Sequence, residues 1–151
     1  MAHQSSDVEI AKSQLIGKNL SLVIAKNGQV IFETKKPGIG GFLQVIEQFD
    51  TKLSGSSVAD RIVGVAAAML CVYIKVDSVF ALTISEGGMK VLKDSGVTFE
   101  FKNKVSNILN RDKTDVCPFE KRAMASKNAE EAYVSLKAFA KKIMGKPTKP
   151  C

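Results

Sequence analysis

The stretch Ser54-Gly55-Ser56-Ser57-Val58-Ala59-Asp60-Arg61-Ile62-Val63-Gly64-Val65-Ala66-Ala67-Ala68-Met69-Leu70-Cys71-Val72-Tyr73-Ile74 holds the most apolar run of the chain. How it is read decides the fold. From Val58 to Ile74, length and the small residues Gly64, Ala66, Ala67 and Ala68 point to a buried helix rather than a strand. Small side chains let such a helix lie close on a sheet. Ser54-Gly55-Ser56-Ser57 then opens it, with Ser56 or Ser57 as N-cap and free backbone amides that suit an anion.

Upstream, Val8, Ile10, Ala11, Leu15 and Ile16 mark a short helix with Asp7 available as its cap. Leu20–Ile24 and Gln29–Glu33 flank Lys26-Asn27-Gly28, and an Asn-Gly turn between β-prone runs predicts a hairpin. Pro37 to Gly41 breaks the second strand, and Phe42, Leu43, Val45, Ile46 and Phe49 space out an amphipathic helix. Downstream, Ser78–Ile84 reads as a buried strand and Ser85-Glu86-Gly87-Gly88 as its turn into a helix ended by Ser95-Gly96. Val97–Phe101 is a further strand, a polar connection follows, Cys117 starts another helix, and Ala129–Met144 is the last. The order α-β-β-α-α-β-α-β-α-α predicts a layered α/β sandwich around a mixed sheet of about four strands. An edge strand such as the hairpin's is open to pairing with a second subunit.

Composition narrows the function classes. The 151 residues are 45% hydrophobic and 25% charged, ordinary for one globular domain. The longest apolar stretch is about half of a membrane span, and there is no basic-then-apolar leader. A cytoplasmic home is expected. Of the formal charge of +7, the stretch from Glu120 onward contributes eight basic and three acidic residues, or +5. A lysine-weighted end of this kind is ordinarily a solvated surface; with no Trp and three Arg, the chain lacks the aromatic–arginine interleaving of a nucleic-acid binder. The one histidine, His3, stands near the N-terminus, and Cys71, Cys117 and Cys151 have no metal-ligand spacing. No zinc site and no His-dependent nucleophile is expected.

Three loops carry the candidate chemistry. Ser56, Ser57, Asp60 and Arg61 belong to the first, where helix-start amides and hydroxyls can meet an anion. Ser85, Glu86, Gly87 and Gly88 form the second, at a strand's carboxyl end, where glycines admit a ligand to the backbone. Asn110, Arg111, Asp112 and Cys117 belong to the third. If Cys117 is the N-cap, Pro118 is N1 and Glu120 is N3, the ordinary grammar of a helix start. A thiol there can have a lowered pKa.

These loops also carry a resemblance. Val58-Ala59-Asp60-Arg61-Ile62-Val63-Gly64-x-Ala66-Ala67-Ala68, Ile84-Ser85-Glu86 and Asn110-Arg111-Asp112-x-Thr114-x-x-Cys117-Pro118-x-Glu120-Lys121 resemble a family of small uncharacterised proteins with a cytidine-deaminase-like fold that lacks the deaminase zinc. The resemblance spans roughly residues 20–140. That is nearly all of a single expected domain over 20–144, with an N-terminal helix and tail, 1–19, before it and, by its Gly-Lys-Pro-Thr-Lys-Pro composition, a disordered basic tail, 145–151, after it. True deaminases place a zinc-ligating His or Cys before Ala-Glu and use Pro-Cys-x-x-Cys at a second helix start. Here Val58 and Ser85-Glu86-Gly87-Gly88 stand at those places, so deamination by a zinc hydroxide is not expected. The resemblance implies instead two helix N-termini facing one pocket that takes a nucleotide, ADP-ribose-type or phosphorylated ligand, with Asp60 and Glu86 on ribose hydroxyls or base amines and no cofactor. The enzyme alternative uses Cys117 as nucleophile or Asp60 as general base, with Arg61 or Arg111 stabilising negative charge. A protein-interaction or weak polyanion-binding role is the further alternative.

Overall fold

A computed structural model describes residues 6–143. The Asn27-Gly28 signal produces its hairpin: β1 (Leu22–Lys26) pairs antiparallel with β2 (Gln29–Thr34). Asn27 (φ 54°) and Gly28 (φ 79°) both take the left-handed conformation that a tight primed turn requires. The helix before it, α1 (Asp7–Gly17), is capped by Ser6, whose Oγ accepts from the Glu9 N–H at 3.3 Å. Asp7, the expected cap, does something else. Its carboxylate accepts from the Asn27 and Gly28 N–H groups at 3.1 and 2.8 Å, tying α1 to the hairpin turn. Asp7→Ala is expected to cost about 1–2 kcal/mol through these charge-assisted bonds, read as a lower urea midpoint; an unchanged midpoint would show the tie to be idle.

The apolar run Val58–Ile74 is not one helix. It is β3 (Ser57–Val63), then Gly64, then α3 (Val65–Tyr73). The reason is burial on two faces. A central strand covered on both sides loses the polar alternation that would mark it, so by pattern it cannot be told from a buried helix. The sheet therefore has five strands, not about four, in the order β2-β1-β3-β4-β5. β3 lies antiparallel to β1 and parallel to β4 (Ser78–Ser85), which is parallel to β5 (Thr98–Val105). Helix α4 (Glu86–Asp94) joins β4 to β5.

Helices cover both faces, as the element order implied. On one, Ala11 and Leu15 of α1 meet Val23, Ala25, Ala59 and Phe80. On the other, α2 (Gly40–Phe49), α3 and α4 close the main core over Leu22, Ile24, Val58, Val79 and Ala81. Helices α5 (Pro118–Met124) and α6 (Ala129–Ile143) pack on α3. α1 thus completes the sandwich and is no appendage. The expected basic tail, His3 and Cys151 lie outside the described residues.

What positions a site is the carboxyl edge of the parallel strands. Val63 pairs with Ile84 there, and α3 and α4 begin side by side at Val65 and Glu86. A Cβ on Gly88 would stand 2.8 Å from the Val63 carbonyl oxygen, and one on Gly87 2.7 Å from Val65 Cγ2. The two glycines let α4 abut the β3–α3 turn.

Candidate functional site

A cleft opens beside the end of β3, between the β2–α2 connection (Pro37, Gly38, Ile39) and the segment carrying Ile108, Cys117, Phe119 and Glu120. It contains about 620 Å³ of empty space, its open mouth included. Asp60, Arg61, Ile62, Gly64, Ala66 and Ala67 supply the wall from β3 and α3.

Asp60 is the group there with the most displaced chemistry. It sits in β3 between Leu22 of β1 and Ala81 of β4, and its charge reaches the buried Cys71 thiol of α3. Burial pushes its carboxyl from 3.8 up to about 7, against the pull of the Ile62 and Arg61 amides and the Arg61 charge. Ile62 N–H donates to Asp60 Oδ1 at 3.2 Å. Part of the residue remains open to solvent. Arg61 does not neutralise it fully, because its Nη2 donates to Asn19 Oδ1 and the Leu20 carbonyl, each at 2.7 Å. A carboxyl so placed can exchange a proton near neutrality or accept a ligand's hydrogen bond.

The second carboxylate is spent. Glu120 is 3% exposed and reaches from α5 to the start of α3, where Val65 N–H donates to Oε1 and Ala66 N–H to Oε2, each at 2.7 Å. Two orphan amides of α3 are satisfied by one side chain, at the end of the helix where its dipole favours negative charge. Burial raises the Glu120 pKa, and the two amides pull against that rise. Gly64 makes the contact possible. Its φ of −98° is open to any residue, but a Cβ there would lie 2.0 Å from Glu120 Oε1 and 2.7 Å from Ile108 Cγ1.

The third loop proves to be a brace for this arrangement. Asn110 Oδ1 accepts from the Thr114 N–H at 3.0 Å, its Nδ2 donates to Thr114 Oγ1 at 3.1 Å, and its N–H donates to the Asp115 carbonyl at 2.8 Å. Leu109 bridges to Val116, and Cys117 N–H donates to the Ile108 carbonyl at 2.9 Å. Lys121 Nζ binds Asp115, which holds the Asp115 carboxyl below its usual range. Cys117 is the N-cap with Pro118 at N1, as the sequence grammar has it, without a side-chain cap bond. Glu120 at N3, however, caps α3 and not its own helix.

The candidate residues therefore divide. Asp60, Arg61 and Cys117 meet in the cleft. Cys117 is 2% exposed and disulfide-bonded, which weighs against a thiolate nucleophile. Cys71 is a free, buried thiol whose pKa burial raises well above the ordinary value. Ser56 and Ser57 are no helix start: Ser57 begins β3, six residues and about 20 Å from its carboxyl end, and Ser56 stands just before it. Ser85 does cap α4, its Oγ accepting from the Gly88 N–H at 3.0 Å, with exposed Glu86 in the first turn. Yet Ser85, Glu86, Gly87 and Gly88 lie behind the β3–α3 turn and do not line the cleft. Of the two helix starts expected to face one pocket, that of α4 does not line the cleft; the α3 start does, its first amides taken by Glu120, and beside it stand Cys117, Phe119 and Glu120 of the α5 start. Asn110 serves the loop, while Arg111 and Asp112 are exposed at its tip. Gly64 as a contact residue, Ser21 and Ile39 were not legible as site residues. A lone Gly between a strand and an Ala-rich helix was the available signal for Gly64.

Among the described residues no three His, Cys, Asp or Glu side chains gather as a metal site. No described helix is long and apolar enough to cross a membrane.

Fold and cleft together define a layered, mixed-sheet α/β domain with one titratable and one self-bound carboxylate beside its central strand. The chain belongs to the family described as TM1506, domain of unknown function (DUF1893), whose model matches residues 10–140. It is similar to the crystal structure of a DUF1893 family protein (TM1506) from Thermotoga maritima, with a TM-score of 0.80 and 27% identity over 92% of this chain and 96% of that one. It is more distantly similar to Acinetobacter baumannii RibD, with a TM-score of 0.46 and 21% identity over 55% of this chain and 28% of the other. Comparison with curated proteins gives no significant match.

Proposed function

We propose that this chain is a zinc-free binding protein of cytidine-deaminase-like architecture whose cleft takes the nucleoside part of a nucleotide or ADP-ribose-type ligand. Asp60 carries the reading. It is a partly open carboxyl in the middle of β3, in an otherwise largely apolar cleft that runs on to Gly64 and Ala66 at the strand's carboxyl edge, where open α/β sheets receive ligands. Its carboxyl accepts from a ribose hydroxyl or a base amine. A phosphate on such a ligand lies away from the α3 amides, which Glu120 occupies.

The second reading, a metal-independent enzyme, is favoured by one observation. A carboxyl with a pKa of about 7 is poised as a general base at neutral pH. Both readings are tested by thermal shift with nucleosides, nucleotides, NAD, ADP-ribose and sugar phosphates, beside zinc and EDTA. A ligand at a hundred times its Kd stabilises the folded state by about 2.7 kcal/mol. One nucleoside-containing compound is expected to raise Tm by several degrees, and Asp60→Ala to abolish the rise. Turnover of that compound, lost in the same variant, selects the enzyme reading. A flat screen, or stabilisation by zinc reversed by EDTA, overturns the proposal.

A further inference from the structure

The polarity of the cleft carries an inference that rests on taking the cleft as the ligand site and goes on to the chemical class of its ligand. We propose that Glu120 is a resident anion that closes the start of α3 to phosphate, and that the cleft takes its ligand by an amino or amidine group set against Asp60.

The α3 N-terminus would ordinarily be the anion seat of such a cleft. Here both carboxylate oxygens of Glu120 already accept from Val65 and Ala66 at 2.7 Å, in the space that the missing side chain of Gly64 leaves for them. A phosphate arriving there must expel a buried carboxylate of its own sign. The cationic side chain lining the cleft is that of Arg61, two of whose five N–H donors, those of Nη2, are held by Asn19 Oδ1 and the Leu20 carbonyl. Beside that anchored guanidinium, the carboxyl of Asp60 is the acceptor the cleft offers a ligand. Asp60 Oδ1 takes the Ile62 amide, and among the described residues no side chain donates to the carboxyl. Around it Ile39, Ile62, Ala66 and Phe119 present apolar surface, which suits an apolar body bearing a donor. The groups that act on the Asp60 charge are Arg61 on its own strand and Cys71 on α3; Glu120 on α5 lines the same cleft, and the flanking strand partners Leu22 and Ala81 are uncharged.

The test uses two probes of one shape and opposite charge, benzamidine and benzoate, with inorganic phosphate as third. Each is titrated into the full-length protein at pH 6 and pH 8 and followed by amide NMR shifts. Benzamidine is expected to move Asp60, Ile62 and Ala66, and to bind at least tenfold tighter than benzoate. Its affinity should rise between pH 6 and pH 8 by up to about tenfold, because only ionised Asp60 accepts its donors. Asp60→Asn should remove the preference while keeping the folded spectrum. Tighter binding of benzoate or phosphate at these residues overturns the inference, and so does absence of benzamidine binding. If benzamidine binds here and no nucleoside does, the inference stands and the nucleoside reading falls.

Discussion

Gly64→Ala is expected to destabilise the fold by about 3 kcal/mol or more, far beyond the ordinary cost of a Gly-to-Ala change. The added methyl would sit 2.0 Å from Glu120 Oε1, 2.5 Å from its Cδ and 2.7 Å from Ile108 Cγ1. Nothing about the backbone forbids alanine, since φ is −98°. The clash is relieved only if Glu120 leaves, and then the amides of Val65 and Ala66 are buried without acceptors. Each such loss costs about 1–3 kcal/mol. Glu120→Ala should therefore cost about as much as Gly64→Ala. The two are coupled: once Glu120 is alanine, the Gly64 methyl has only its 2.7 Å approach to Ile108 Cγ1 left to relieve, and the double variant should cost clearly less than the sum of the two single ones. Urea denaturation of the four proteins reads this directly. Additive costs, or a Gly64→Ala within 1 kcal/mol of wild type, would show that the carboxylate is not seated as described.

Asp60 should make the protein less stable as pH rises through neutrality. Its folded pKa of about 7 lies above the 3.8 of the free side chain. The stabilising contribution is therefore full below about pH 4, declines as the unfolded chain ionises while the folded carboxyl resists, and is gone above about pH 7. The shift corresponds to roughly 4 kcal/mol at about 1.4 kcal/mol per unit, and the open side of the cleft lets water reduce that to about 2 kcal/mol. Asp60→Asn keeps the shape and removes the charge. It should be stabilising by about 2 kcal/mol at pH 8 and near neutral at pH 4. Glu120 leans the same way in both proteins, and the raised Cys71 thiol acts only at alkaline pH, so the difference between variant and wild type isolates Asp60. An Asn variant less stable than wild type at pH 8, or a difference independent of pH, would show the carboxyl to be well solvated or paired.

These expectations depend on residues that the chain displays unequally. The Asn27-Gly28 hairpin, the apolar spacing of α2, the turn of Ser85-Glu86-Gly87-Gly88 into α4 and the Cys117-Pro118 start of α5 were readable because each is a local matter of turn chemistry, period or cap. β3 was not, because a strand buried on both faces shows no alternation. Misplacing it put Ser56 and Ser57 at a helix start when they stand at the far end of a strand. The Asn110 motif was visible as a motif, but its meaning was not. Its side chain closes its own loop on Thr114 and Asp115, which no spacing rule separates from ligand binding.

The sequence by itself thus determined the hairpin, the local elements with a turn, period or cap to mark them, and the strand–helix alternation that demands a layered sheet. Only the tertiary structure decided that Glu120 serves a helix that begins 55 residues earlier, that Gly64 exists for its room, and that Asp60 titrates near neutrality. The reason is physical. Turns, caps and amphipathic faces are set by neighbours within a few residues, whereas desolvation and a shared hydrogen bond exist only after distant segments have packed together.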